Sequence, residues 1–143
     1  MGAFANAKVY AHELEIEHTR KQFADFLEQT GEEDLDAGVV REEQALLERI
    51  LPAEDELAEH VDLFPLFGYT PGTCGVLVSM PTVTILVAGD AVPTQDHFLA
   101  GQVLPDSADV EAAQESMREV YEIADLIIPG HDNLFVNPRA AGM

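Results

Sequence analysis

The sequence predicts an α+β fold, a mixed or mainly antiparallel sheet with helices outside it, and three observations predict it. Two apolar runs, Thr73 to Met80 and Val83 to Ala88, are separated only by Pro81 and Thr82. Each is rich in Val, Ile and Leu and too short for an ordinary helix, so both read as buried strands. Stretches before and after them carry apolar residues at helical spacing. A last apolar run, Leu126 to Ile128, ends in Pro129, Gly130, His131 and Asp132.

From the N-terminus, Ala7 to Tyr10 alternates as a short strand does. Glu13 to Gln29 places Ile16, Phe23 and Leu27 on one helical face, and Gly31 is expected to end that helix. Glu32 to Asp36 is almost wholly acidic and reads as a solvated loop. Val39 to Leu51 predicts a second helix with Val39, Leu46 and Ile50 on one side and Pro52 as its stop. Glu54 to His60 lacks an apolar stripe and reads as an exposed connection. Val61 to Phe67 alternates, but Pro65 restricts it to an edge or bulged strand.

After the central pair, the segment following Asp90 contains Pro93 and Pro105 and reads as a long loop with a helical turn near His97. Asp106 and Ser107 are candidate caps for a third helix over Ala108 to Ala124, with Val110, Ala113, Met117, Val120 and Ala124 facing inward. Leu134 to Val136 reads as a final strand. No internal repeat or linker is visible, so one domain over residues 1–143 is expected.

Asp and Glu number 27 against 7 Lys and Arg, a formal charge of -20, and such a surface repels a phosphate backbone. Nucleic acid is thereby disfavoured as a partner. Only Lys8 and Lys21 are lysines, and this acid-rich, lysine-poor balance suits a saline cytoplasm, where salt screens the repulsion. No apolar run reaches the ~20 residues that span a bilayer, and the start MGAFANAKVY lacks the pattern of a secretory signal. A cytoplasmic protein with no membrane partner is expected. Cys74, the single cysteine, reads as a small core residue.

Three strand ends terminate in a polar residue beside glycine: Gly68-Tyr69, Gly89-Asp90 and Gly130-His131. Strands that end on one side of a core bring such residues to one place, and glycine lets the backbone turn and approach closely. Asp and neutral His are suitable ligands for zinc or another divalent metal. By itself, a histidine after a strand is more often a turn residue than a ligand.

The ordered words TPGTCGVLV, ILVAGDAVP and ADLIIPGHD, with a capped helix between the last two, resemble the C-terminal half of the metallo-β-lactamase superfamily. Asn6 to Glu13 is also similar to the segment that follows the family's first metal motif. The resemblance implies part of an αββα sandwich. It implies a metal-dependent hydrolase of ester, thioester or lactone bonds acting on a small molecule. Asp90 would bridge two metal ions and orient the attacking hydroxide, which makes it the catalytic carboxylate, and His131 would hold one of the ions. Tyr69, His97 and Asp132 are candidate substrate contacts.

Two departures qualify that expectation. Where the family reads Pro-Gly-His this chain reads Phe67, Gly68 and Tyr69, and a phenol that keeps its proton is a poor zinc ligand. Tyr69 then reads either as a substrate-contacting hydroxyl or as a packed core tyrosine. The family's His-x-His-x-Asp-His cluster does not occur, so Asp90 and His131 supply two ligands where a catalytic zinc usually has three. The chain alone is expected to bind metal weakly or not at all and to be incomplete or inactive, with Met1 an internal methionine of a longer frame. His12, His18 and His60 read as surface residues rather than substitutes. A single sheet would leave an apolar face, so a homo-oligomer or a missing N-terminal half is expected to cover it. The rival expectation is a non-catalytic ligand-binding or oligomerising relative that lost its metal.

Overall fold

The structure is a computed structural model describing residues 4–142; Met1 lies outside them. Its contacts divide the chain into two compact units, one ending at Ala53 and one starting at Glu54, where the sequence suggests a single domain.

The first unit runs β1 (Val9–Ala11), α1 (Glu13–Gln29), a 3-10 turn (Glu32–Asp34), α2 (Ala37–Glu48) and β2 (Ile50–Pro52). His12 caps α1, its Nδ1 accepting from the Leu14 N–H at 3.1 Å, and Glu13 and Glu15 favour the positive end of the helix. The residue closing α1 is Thr30 rather than Gly31: its backbone N–H and its hydroxyl both donate to the Phe26 carbonyl. Asp36 caps α2 through Oδ1. The expected continuation of this helix to Leu51 is not found. Ile50 to Pro52 instead leaves the helix and pairs parallel with β1, Val9 opposite Ile50. Arg49 supports that turn by donating from Nη2 to the carbonyls of Phe4, Ala5 and Ala7.

The second unit is one six-stranded sheet in sequential order: β3 (Glu56–Ala58), β4 (Val61–Pro65), β5 (Cys74–Ser79), β6 (Thr84–Gly89), β7 (Leu126–Pro129) and β8 (Phe135–Val136). Neighbours are antiparallel except β6 and β7, which run parallel and are joined by α3 (Gln95–Ala100) and α4 (Val110–Ile123). That crossover is what two adjacent parallel strands require. The acidic connection is thus partly a strand: Glu56 to Ala58 adds an exposed edge, held by main-chain pairing to β4 with an irregular register. Such pairing needs no apolar pattern. α4 begins two residues later than expected, with Asp109 rather than Asp106 or Ser107 as its cap.

Alternation along the strands places the core. Leu86, Ala88 and Ile127 point to the face covered by α4, where Met117, Val120 and Ala124 meet them together with Leu66, Val92, Phe98 and Phe135. Leu77 and Phe64 pack against the edge of that cluster. On α4, the buried Ala113, Met117, Val120 and the capping Ala124 fall on one stripe, as the sequence spacing predicts, whereas Val110, expected on the same face, is exposed in the first turn. The opposite face of the sheet carries Val76, Val78, Ile85, Val87, Leu126 and Ile128, all half-buried or exposed.

The C-terminal end of α4 is closed from a distance. Asn137 is fully buried, and its Nδ2 donates to the carbonyls of Tyr121 and Ala124 at 2.8 and 2.7 Å. Arg139 adds bonds to the same two carbonyls. Orphan carbonyls of a helix end are thereby satisfied by side chains from beyond the last strand.

Candidate metal centre

The residues with metal-ligand chemistry lie where three connections leave one edge of the sheet. β4 is antiparallel to β5, and β5 to β6, so the loop from Leu66 to Thr73 and the C-terminal end of β6 share an edge. β7 is parallel to β6, with Gly89 opposite Pro129, so its C-terminal end emerges there too. Asp90 follows β6 and His131 follows β7 by two residues. The register therefore brings a carboxylate and an imidazole together: His131 Nε2 lies 2.9 Å from Asp90 Oδ1. Both are partly solvated, with side chains 69% and 37% exposed, so the acid is paired and hydrated rather than buried bare.

Glycine makes that approach possible. A Cβ on Gly130 would stand 2.6 Å from Asp90 Oδ1 and 2.9 Å from the carbonyl carbon of Gly89. Gly89 itself turns with φ +54, letting the chain leave β6 and present the carboxylate. The two loops are then laced together. Gly130 N–H donates to the Val92 carbonyl and His131 N–H to the Pro93 carbonyl, at 3.1 and 2.9 Å.

Asp132 continues the lacing. Its Oδ2 accepts from Gln95 N–H and its Oδ1 from Asn133 N–H, so the carboxylate is committed to backbone amides on both loops. His97 sits in the first turns of α3, with Nδ1 2.8 Å from the Thr94 hydroxyl that also caps the helix. Tyr69 belongs to the β4–β5 connection. That connection is moored to the start of α4: Asp109 N–H and Ala108 N–H donate to the carbonyls of Gly68 and Tyr69, and Ser116 Oγ donates to the Phe67 carbonyl. At Gly68, φ is +138 and an added Cβ would lie 2.2 Å from Ala113 N, so nothing larger than glycine fits this contact. Among the described residues, no hydrogen bond or ion pair joins the side chains of Tyr69 or His97 to the Asp90–His131 pair.

The other histidines have their own local surroundings. His12 caps α1, His18 lies within α1, and His60 occupies a turn at φ 62 beside Glu59. Among the described residues, no group of three or more His, Cys, Asp or Glu side chains is placed to hold a metal ion. Asp90 and His131 are two donors, and a catalytic zinc has three protein ligands plus water. The donors present therefore do not make up a zinc centre by themselves. Among the described residues no helix is long and apolar enough to cross a membrane.

Residues 2–131 match the family model of the metallo-beta-lactamase superfamily, and the chain belongs to that superfamily. Solved structures with this fold include AidC, a dizinc quorum-quenching lactonase in complex with its product (TM-score 0.67, 15% identity over 93% of this chain and 51% of that one). They include AiiA of B. thuringiensis with N-decanoyl-L-homoserine bound at its active site (TM-score 0.60, 22% identity, 92% of this chain and 49% of that one). A third is the hydrolase AbOPH of the beta lactamase superfamily (TM-score 0.61, 18% identity, 90% and 49%). The chain spans about half the length of these structures. No protein with a curated description matches it. At these identities the likeness speaks to the fold, which is the α+β arrangement that the sequence predicts.

Proposed function

We propose that this chain supplies one carboxylate and one imidazole to the centre of a metal-dependent hydrolase of ester, thioester or lactone bonds. The observation that carries the reading is the 2.9 Å contact between Asp90 and His131 at the adjoining ends of two parallel strands. Membership of the superfamily supports the reaction class, and the lactonases among the fold relatives support a small acyl substrate. Zinc is the metal we propose, because AidC is a dizinc enzyme and because carboxylate and imidazole suit that ion.

Two donors fall short of a catalytic site, and the further ligands in this reading come from a second copy of the chain or from another polypeptide segment. The apolar sheet face bearing Val76, Val87 and Ile128 is a surface on which such a partner would dry out side chains. Asp132 and Thr94 hold the two loops and the His97 ring in place, and His97 and Tyr69 are the proposed substrate contacts on the same edge.

Zinc titration of the purified chain by calorimetry, beside Asp90→Ala and His131→Ala, tests the reading. Weak zinc binding that both substitutions abolish supports it, as does lactonase activity appearing when the missing donors are restored. Zinc binding indifferent to both substitutions sinks it. A second reading, a scaffold that lost its metal, is favoured by Tyr69 standing where the family carries histidine. A stable chain that takes up no zinc and hydrolyses neither lactone nor p-nitrophenyl ester decides for that alternative.

A further inference from the structure

A cavity of about 380 Å³ opens between α3 and α4, lined by Phe98, Gly101, Gln114, Met117, Arg118 and Tyr121. Its size falls in the range of small-molecule sites. None of its lining residues takes part in the Asp90–His131 pair or in the backbone lacing around it. Phe98 and Met117 form a buried apolar floor, 7% and 6% exposed, while Gly101, Gln114, Arg118 and Tyr121 are exposed at the rim. The Phe98 and Tyr121 rings lie 6.3 Å apart at 36°, and the aromatic surface left open is mainly that of the exposed Tyr121 on one wall. Gly101 closes α3 in the left-handed conformation, with no atom within 4 Å of where a side chain would start.

The rim carries one cation with capacity to spare. Arg118 Nη1 donates to Glu115 Oε2 at 2.7 Å, whereas its Nε and Nη2 make no hydrogen bond among the described residues. That leaves the side-on edge of the guanidinium, two parallel donors, facing solvent. Arg118 and Arg139 are the only Lys or Arg from Glu54 onward, and Arg139 commits its Nε and Nη2 to the end of α4, beside Asp125. The second unit therefore offers an anion one free bidentate position, beside an aromatic pocket. Acids farther than about 8 Å are screened at physiological salt, whereas Glu115, already 2.7 Å from Nη1, shares the guanidinium with an incoming carboxylate.

We propose that this cavity binds a small aromatic carboxylate, its ring on Phe98, Met117 and Tyr121 and its carboxylate on the free edge of Arg118. The proposal is independent of the metal-centre reading.

Titration of the whole chain with 2-naphthoate at about 0.15 M salt, followed by amide NMR and calorimetry, tests it. Saturable binding with a dissociation constant below about 1 mM is expected, with shifts confined to α3 and α4. Neutral 2-naphthamide and the Arg118→Ala variant should each bind about tenfold more weakly, since a charge-assisted bidentate contact is lost. Tyr121→Ala should lose several-fold by removing a wall of the cavity. Absence of saturable binding overturns the proposal, and so does equal affinity for the amide or an Arg118→Ala variant that binds as the parent does. Asp90→Ala should leave naphthoate affinity unchanged; loss of binding in that variant would move the probe to the other site and equally overturn the assignment.

Discussion

Gly130 lies so close against Asp90 that a Cβ on it would approach Oδ1 to 2.6 Å. The neighbouring atoms that a methyl group would meet are the Gly89 carbonyl carbon and oxygen, at 2.9 and 3.0 Å, and backbone gives way less readily than a side chain. Gly130→Ala is therefore expected to push the Asp90 carboxylate and the β6 end away from β7. A destabilisation of about 2 kcal/mol, typical of overpacking, should be read in urea unfolding. Loss of the Asp90–His131 contact should be visible in a crystal structure of the variant.

Asp132 bridges the two loops through Gln95 N–H and Asn133 N–H. Asp132→Ala should free the Gln95 amide and speed its hydrogen exchange about fivefold, the effect of one modest hydrogen bond. Asp132→Asn keeps one acceptor oxygen and should restore part of the protection. An unchanged Gln95 exchange rate in the alanine variant would show that the bond does not hold the loop in solution.

Asn137 has no exposed surface and donates to two helix-end carbonyls. Asn137→Ala should cost about 1–2 kcal/mol in chemical denaturation, because the Tyr121 and Ala124 carbonyls each lose one donor and keep only Arg139. Asn137→Asp should cost more, since a carboxylate faces those carbonyls with no proton to give them unless it stays neutral. Equal stability of the two variants would contradict this account.

The charge of -20 predicts that stability rises with salt. Raising NaCl from 0.1 to 1 M shortens the Debye length from about 10 to 3 Å and relieves repulsion among the carboxylates. The urea midpoint should move upward across that range. A midpoint that falls or stays level would mean that the acids do not strain the folded chain.

The local pattern of the sequence was sufficient for α1, found over the predicted Glu13–Gln29, and for the β5–β6 pair, because in both the periodicity is strong and turn residues mark the ends. A polar residue beside glycine at a strand end is likewise a local signal, and it was enough to predict that the Asp90 and His131 side chains meet. What escaped was pairing at a distance. Ile50 fits the helical stripe of Val39 and Leu46, and only its partner Val9, far back in the chain, makes it a strand. Glu56 to Ala58 pairs through backbone and carries no apolar alternation. Asn137 carries no local signal, because its partners lie 13 and 16 residues earlier. Asp132, a candidate substrate contact by sequence, also accepts from Gln95 N–H, 37 residues away, and from Asn133 N–H, a tie that local pattern does not announce.

The parallel β6–β7 step is fastened at its other end as well, where Thr84 N–H donates to Asp125 Oδ2 and Asp125 N–H returns a bond to the Thr84 carbonyl. The segment between these fastenings, both helices included, is the long loop that either one closes. Long-range closures of this kind are slow because chain entropy is surrendered before contacts reward it. Asp90 and His131 should thus be among the last residues to meet as the polypeptide folds, which makes their encounter a late checkpoint on correct assembly.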